Sequence, residues 1–242
     1  MSNAFYAPGD QRATKVNDLF ARIARRYDLI NDLQSFGLHR LWKRRVVRLA
    51  APKPGQHALD LCCGTGDIAL ALAQNGVATT GLDFSANMLA VAEKRRLENA
   101  KPQAQNLKFI QGDAQQIPFP ENSFDIVTVG YGLRNLTNWE TGLAEMHRVA
   151  RPGGHLIVLE FGKPANALWR AIYFTHLRCS VPLIGLLFCG NAQAYAYILE
   201  SLKHYPAQFA VAEKMREMKL TNVRVINLLG GAMAINYGEK QA

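Results

Sequence analysis

An α/β architecture on a seven-stranded, mostly parallel sheet is the expectation, and three observations lead to it. From Ala51 onward, short apolar runs alternate with stretches of helical periodicity. One run passes through a glycine turn directly into a helix, at Leu59-Asp60-Leu61-Cys62-Cys63-Gly64-Thr65-Gly66-Asp67. The last two runs are separated only by Leu229-Gly230-Gly231, which suits a hairpin, so one strand should run antiparallel. Alternating strand and helix implies a parallel sheet covered on both faces, because each crossover helix must bury its own apolar stripe.

Residues 12–50 read as helical. Val16, Leu19, Phe20 and Ile23 recur at helical spacing, and so do Leu41, Trp42, Val46 and Leu49. Between them, Tyr27 to Gly37 reads as a short helix ending at a glycine cap. Pro52-Lys53-Pro54-Gly55 is a turn, and it divides an N-terminal helical lid (1–50) from the main domain (51–242). Strands are expected at His57–Cys62, Val77–Asp83, Leu107–Gln111, Asp125–Gly130, His155–Phe161, Val223–Leu228 and Ala232–Tyr237. Helices are expected at Asp67–Asn75, Asn87–Asn99, Trp139–Val149 and Ala210–Met218. A helical insert, about residues 166–200, lies between the fifth and sixth strands and is rich in Leu, Ile, Phe, Trp and Tyr. It reads either as a canopy packed on the sheet edge or as a wall for an apolar ligand.

Composition excludes several classes. The 242 residues are 49% hydrophobic and 19% charged, which supports a sizeable core and argues against disorder. The most apolar stretch, Val181–Cys189, is nine residues, against the roughly twenty that a membrane span needs. The first residues carry no basic-then-apolar-then-small pattern, so no secretory leader is expected. Cys62, Cys63, Cys179 and Cys189 are too few and too oddly spaced for a disulfide framework or a zinc site, so no metal is expected and the reducing cytoplasm is the default. The net charge of +9 is uneven: residues 1–48 carry ten Lys/Arg and four Asp. That segment suits an anionic partner, nucleic acid or the inner face of a membrane, or else is a solvated basic face.

The glycine turn is the most informative segment. Gly64 and Gly66 let the backbone approach a ligand closely, and Thr65 lies between them. Asp83 ends the next strand, 19 residues beyond Gly64, where an open α/β sheet places an acceptor for ribose hydroxyls. Asp113 ends the third strand, where an acid can accept from an adenine amine while the Ala114 amide meets a ring nitrogen. Three consecutive strand ends thus converge on one crevice of a Rossmann-like sheet, and an adenosine cofactor is expected there. Asp60, before the turn, either orients the loop or meets a cationic group of the ligand, and Asp67 opens the helix after it. A carboxylate on each side suits a ligand with an ammonium and a sulfonium better than a pyrophosphate, which wants bare amides. Turn stabilisation by Asp60 and a favourable first-turn acid at Asp67 are the structural alternatives.

The constellation Asp60-x-x-x-Gly64-x-Gly66, Asp83, Gly112-Asp113-Ala114 and Arg151-Pro152-Gly153-Gly154 resembles the class I S-adenosylmethionine-dependent methyltransferases. Cys62 departs from the common first glycine of that loop. More narrowly, the chain resembles the ubiquinone/menaquinone biosynthesis C-methyltransferase family of the UbiE/MenG type. Three stretches carry this likeness: Tyr27 to Arg44, Gly130-Tyr131-Gly132-Leu133-Arg134-Asn135, and Glu145 to Gly154. The tail departs from the pattern at Leu229 and Asn236.

The resemblance implies transfer of a methyl group to a ring carbon of a reduced prenylated quinone, with S-adenosylmethionine as cofactor. Gly130, at the end of the fourth strand, joins the expected cofactor site. Arg134 is expected to stabilise a developing phenolate or to gate the pocket, and Asn135 to orient a hydroxyl or water. Tyr27 belongs to a base relay by resemblance, and His39 is the most base-like side chain by its ordinary pKa. Demethylmenaquinol is the ring expected, with a methoxy-polyprenyl-benzoquinol as the alternative. A donor-binding member of a quinone-synthesis assembly without turnover is the reading from another class. The insert would shelter the prenyl tail. Arg22, Arg25, Arg26, Lys43, Arg44 and Arg45 would rest on an anionic inner membrane surface as a peripheral contact. A homodimer or a quinone-synthesis complex is left open. Nucleic acid is not expected as a partner: no Pro-Pro pair occurs, no cysteine follows a proline, and aromatics do not interleave with the basic run.

Overall fold

The computed structural model describes residue 24 and residues 27–98, 106–189 and 192–242. The periodicity at Val16–Ile23, and Arg22, Arg25 and Arg26 with it, lies outside the described residues. Two helices open the described chain, α1 (Tyr27–Ser35) and α2 (Leu38–Ala50). Phe36 and Gly37 turn the corner in left-handed conformations, φ 51° and 74°. The Gly37 N–H donates to the Asp32 carbonyl at 2.9 Å, the glycine cap expected there.

The sheet contains β1 (His57–Leu61), β2 (Ala78–Asp83), β3 (Leu107–Gln111), β4 (Phe124–Gly130), β5 (Ala150–Phe161), β6 (Thr221–Leu228) and β7 (Met233–Glu239). Around it lie α3 (Asp67–Ala73), α4 (Ala86–Glu98), α5 (Trp139–Val149) and α8 (Gln208–Glu217). The insert is two helices, α6 (Ala167–Cys189) and α7 (Ala192–His204). Strand order is β3-β2-β1-β4-β5-β7-β6. Only β7 runs antiparallel to its neighbours, wedged between β5 and β6 by the tight Leu229–Gly231 turn. Successive strands leave β1 in one direction as β2 and β3, then return to its other side as β4 and β5. That reversal opens a crevice at the carboxyl ends of β1 and β4.

Alternation along the strands builds two cores. Leu59, Leu61, Val127, Val129, Leu156 and Val158 face α5 and α8, where they meet Leu143, Met146, Val211 and Met215. Ala58, Ile126, Ile157 and Leu159 face the other way, onto Val46 and Val47 of α2 and Ile68 and Leu72 of α3. A smaller third core joins α1 to the insert through Ile30, Tyr173, Leu177, Val181, Ile198 and Leu202.

The largest departure from the expected boundaries is at β5, which begins at Ala150 and not at His155. Arg151-Pro152-Gly153-Gly154 has turn composition and forms a bulge within the strand: Gly153 is left-handed, φ 76°, and the pairing with β4 jumps from Ala150 to His155. The Gly153 N–H donates to the Lys240 carbonyl (2.8 Å), and the Lys240 N–H to the Gly154 carbonyl (2.9 Å). Pairing with the far end of the chain carries this bulge within the strand.

Candidate active site

The turn after β1 is built by hydrogen bonds to its own strand ends. Cys62 takes a left-handed conformation, φ 50°, which costs a residue with a side chain about 1–2 kcal/mol. The Gly64 N–H donates to Asp83 Oδ2 (2.8 Å) and the Ser85 N–H to Asp83 Oδ1 (2.9 Å), so the β2 carboxylate ties two loops together. Burial pushes the Asp83 carboxyl upward, opposed by these amides. Gly66, φ 84°, has no room for a side chain: a Cβ there would sit 2.9 Å from Phe109 Cζ.

Asp60 does not reach the ligand side of the turn. Its Oδ1 accepts from the Thr128 hydroxyl (2.7 Å) and its Oδ2 from the Ala69 N–H (3.1 Å). It is 1% exposed, and burial raises its carboxyl to about 7. Of the two roles open to it from sequence, the structure shows the loop-orienting one. Asp67 is corrected more firmly. Its carboxylate accepts from Lys43 Nζ (2.6 Å) and from an Arg95 Nη (2.6 Å). Burial opposes ionisation there, yet the two cations hold the carboxyl at about 2. Its charge is matched by two protein cations, the partners that its place in the first helical turn did not reveal.

Two cavities meet at the carboxyl ends of the strands. The first is a cleft of ≈ 740 Å³ lined from β1 to β4 by Gly64, Asp83, Asp113, Ala114 and Gly130, with Asn135 and Tyr27 closing one side. Buried polar atoms without partners among the described residues border it, Ser85 Oγ, Asn135 Oδ1 and the Tyr131 hydroxyl. Thr65 is not in this cleft. It faces α1, where its hydroxyl donates to Asp28 Oδ1 at 2.9 Å. The strand-end acceptors, the glycine-lined floor and the orphaned oxygens of Ser85, Asn135 and Tyr131 fit an adenosyl ligand rich in donor groups.

The second cavity is a groove of ≈ 1420 Å³ between the α1–α2 corner and the insert, and it shares Tyr27 and Tyr131 with the cleft. Burial raises both phenols, Tyr27 to about 12, where a hydrogen bond with Asn31 opposes the shift. Both stay protonated near neutral pH. Arg134 and His39 line the groove and not the cleft. Arg134 Nη1 donates to Glu160 Oε1 (2.9 Å) and to the Tyr131 carbonyl (2.7 Å), and the guanidinium lies 4.7 Å from the Phe161 ring centroid. Each side chain of that ion pair is 3% exposed. Glu160 was not singled out from sequence. Its signal was an acid closing the apolar run of β5, where a buried carboxylate needs a cation.

His39 Nε2 lies 2.8 Å from Asp32 Oδ1, and Arg40 grips the same carboxylate with two bonds, 2.7 and 2.6 Å. Burial lowers the imidazole's basicity, opposed by Asp32, so the ring is neutral at neutral pH. Asp28 accepts from Thr65 and from Arg95 (3.2 Å), and Lys43 reaches Asp67. The N-terminal helices are therefore pinned directly to the glycine turn. This removes Lys43 from the expected lipid-facing set, whereas Arg44 and Arg45 are exposed.

Comparison with known proteins gives the family. The model of the ubiE/COQ5 methyltransferase family matches residues 9–240. The chain belongs to that family. It is an S-adenosylmethionine-dependent methyltransferase, the activity expected from sequence. Among its relatives is a ubiquinone/menaquinone biosynthesis C-methyltransferase UbiE of Ectopseudomonas mendocina (strain ymp), 41% identical over 96% of this chain and 91% of that protein. A demethylmenaquinone methyltransferase of Desulfitobacterium hafniense (strain Y51) is also 41% identical, over 96% of this chain and 92% of that one. In fold alone, it is similar to Haemonchus contortus phosphoethanolamine N-methyltransferase 2 in complex with S-adenosyl-L-methionine (TM-score 0.61, 16% identity, 83% of this chain and 52% of that one). A SAM-dependent methyltransferase from Aquifex aeolicus shares the fold at TM-score 0.54 and 15% identity, covering 81% of this chain and 88% of that one. Among the described residues no helix is long and apolar enough to cross a membrane.

Proposed function

We propose that this family member methylates a ring carbon of a reduced, prenylated quinone, with demethylmenaquinol as the favoured substrate. The observation that supports the reading is that the strand-end cleft and a large apolar groove lie side by side and share Tyr27 and Tyr131 as lining residues. A methyl donor and a ring-plus-tail acceptor need two such cavities meeting at one point. The methoxy-polyprenyl-benzoquinol is the second ring, favoured by the UbiE relatives, whose name covers both quinones.

S-adenosylmethionine, when bound, supplies an activated methyl on a sulfonium. The chain's residues do the rest. Asp83 would accept from ribose hydroxyls, Asp113 and the Ala114 amide would read the adenine, and Gly64 and Gly130 would allow close backbone approach. Alignment of donor and acceptor is worth up to about 7–11 kcal/mol where orientation is good. The ring hydroxyl beside the reacting carbon must give up its proton, which moves electron density onto that carbon. Arg134, a cation fixed by Glu160, would stabilise the developing phenolate. Asn135 would orient the hydroxyl through its unpartnered Oδ1. Tyr27, between the cavities, would relay the proton, and His39, neutral and held by Asp32, would receive it. Phe36, Ile172 and Leu229 are exposed apolar residues at the groove margin, and with Arg44 and Arg45 they would rest on an anionic membrane that delivers the substrate.

Purified protein incubated with labelled donor and each reduced quinone, followed by mass spectrometry, tests the reading. Methylated naphthoquinol is the expected product. Methylation of the benzoquinol alone would reverse the ring assignment, and methylation of neither would remove the proposal. Pelleting with anionic against neutral vesicles at low salt tests the membrane contact, and equal recovery in the two would reject it.

A further inference from the structure

We propose that the insert supplies a hydrogen-bonding group to the ring site: the Tyr173 hydroxyl on α6 binds an oxygen of the reduced quinone. This rests on the groove being the quinol site. Tyr173 lines the groove together with Tyr131 and Arg134. It is 8% exposed, and its hydroxyl is buried with no hydrogen-bond partner among the described residues. The ring is held in place by Phe174, 5.3 Å away between centroids, and by the core of Leu177 and Val181. A buried hydroxyl left unmatched costs about 1–3 kcal/mol, so native structures rarely keep one unless something else binds it. Arg134 and Glu160 lie within electrostatic reach, and burial keeps the phenol protonated at neutral pH, so it is a donor. A donor near a fixed cation is what a phenolic oxygen gaining negative charge requires.

Tyr205 provides the contrast. It is 2% exposed, its hydroxyl also lacks a partner among the described residues, and burial raises it too. Yet it lines neither cavity and packs edge-on to Trp139 in the sheet core, 6.4 Å between centroids. Burial is common to the two tyrosines; only Tyr173 borders the groove. The insert is therefore both a shelter for the tail and a wall of the ring pocket.

Tyr173→Phe removes one oxygen and keeps the packing. Steady-state kinetics with the prenylated quinol and with a naphthohydroquinone lacking the tail should both show KM raised about five- to tenfold, the range of one lost hydrogen bond. Affinity for S-adenosylhomocysteine should stay unchanged, the thermal midpoint should not fall, because the ligand-free protein loses an unmatched buried hydroxyl, and Tyr205→Phe should keep the wild-type KM. Wild-type KM for Tyr173→Phe with both substrates would overturn the inference while leaving the quinol reading intact. So would a loss confined to the prenylated substrate, which would make Tyr173 a tail contact only. A comparable rise in KM for Tyr205→Phe would overturn it as well. Absence of turnover by the wild-type protein would remove the quinol reading and this inference with it.

Discussion

Glu160→Gln tests the polar floor of the groove. The carboxylate accepts three hydrogen bonds: from Arg134 Nη1 at 2.9 Å, from the Arg134 N–H at 3.2 Å and from the Phe161 N–H at 2.8 Å. It is also the buried countercharge of a guanidinium 3% exposed. Glutamine keeps the shape but turns one acceptor into a donor facing donors, and it leaves the cation uncompensated. Breaking one partner of a buried pair costs about 3–5 kcal/mol, against a typical total stability of about 5–15 kcal/mol. For a chain of this size each kcal/mol lowers Tm by about 2–4 °C, so a fall of about 6–20 °C is expected. Urea unfolding followed by circular dichroism gives the free energy directly. The double variant Glu160→Gln with Arg134→Met removes both charges while the amide oxygen still accepts from a backbone N–H, and it should recover much of the loss in stability while remaining inactive. A single variant within about 1 kcal/mol of wild type would refute the reasoning, and so would a double variant no more stable than the single.

Asp60 should impose a pH dependence. Burial raises its carboxyl from 3.8 to about 7, so the folded state holds that proton more tightly than the unfolded chain does. Its effect is absent below about pH 4 and grows into a cost as pH rises through 7, saturating near ~4 kcal/mol. Asp60→Asn should therefore gain stability relative to wild type between pH 4 and about pH 8, and a pH-independent difference would count against this. Asp83→Ala deletes the acceptor that joins Gly64 to Ser85, and calorimetry should show S-adenosylhomocysteine binding at least about tenfold weaker; unchanged affinity would place the cofactor elsewhere. Gly66→Ala combines a left-handed backbone with a Cβ 2.9 Å from Phe109 Cζ, and denaturation should show about 2–4 kcal/mol lost; a neutral result would mean that the turn relaxes.

The strand-end cleft was legible because it is written in local chemistry. A strand, two glycines with positive φ and an acid at the next strand's end are adjacent or regularly spaced in sequence, and Gly64 and Asp83 are joined by a 2.8 Å bond. The groove was less legible, because its parts come from distant segments. Arg134 is recognisable by resemblance, but nothing local reveals that Glu160 faces it across 26 residues of chain. Likewise Asp67 looks the same in sequence whether it meets a ligand or Lys43, 24 residues upstream.

Hydrophobic periodicity and turn chemistry, read from the chain alone, determined the element order, that one strand of the terminal hairpin is reversed, and the strand ends that line the cleft. These are short-range properties, settled by which faces must be buried and which backbone angles glycine permits. Tertiary structure alone decided which charges are consumed by partners, that the Arg151–Gly154 bulge is carried within β5 by the end of the chain, and that a tyrosine of the insert borders the same groove as Arg134. Charge pairing and cavity shape depend on distances between segments far apart in the chain, and no local pattern encodes those distances.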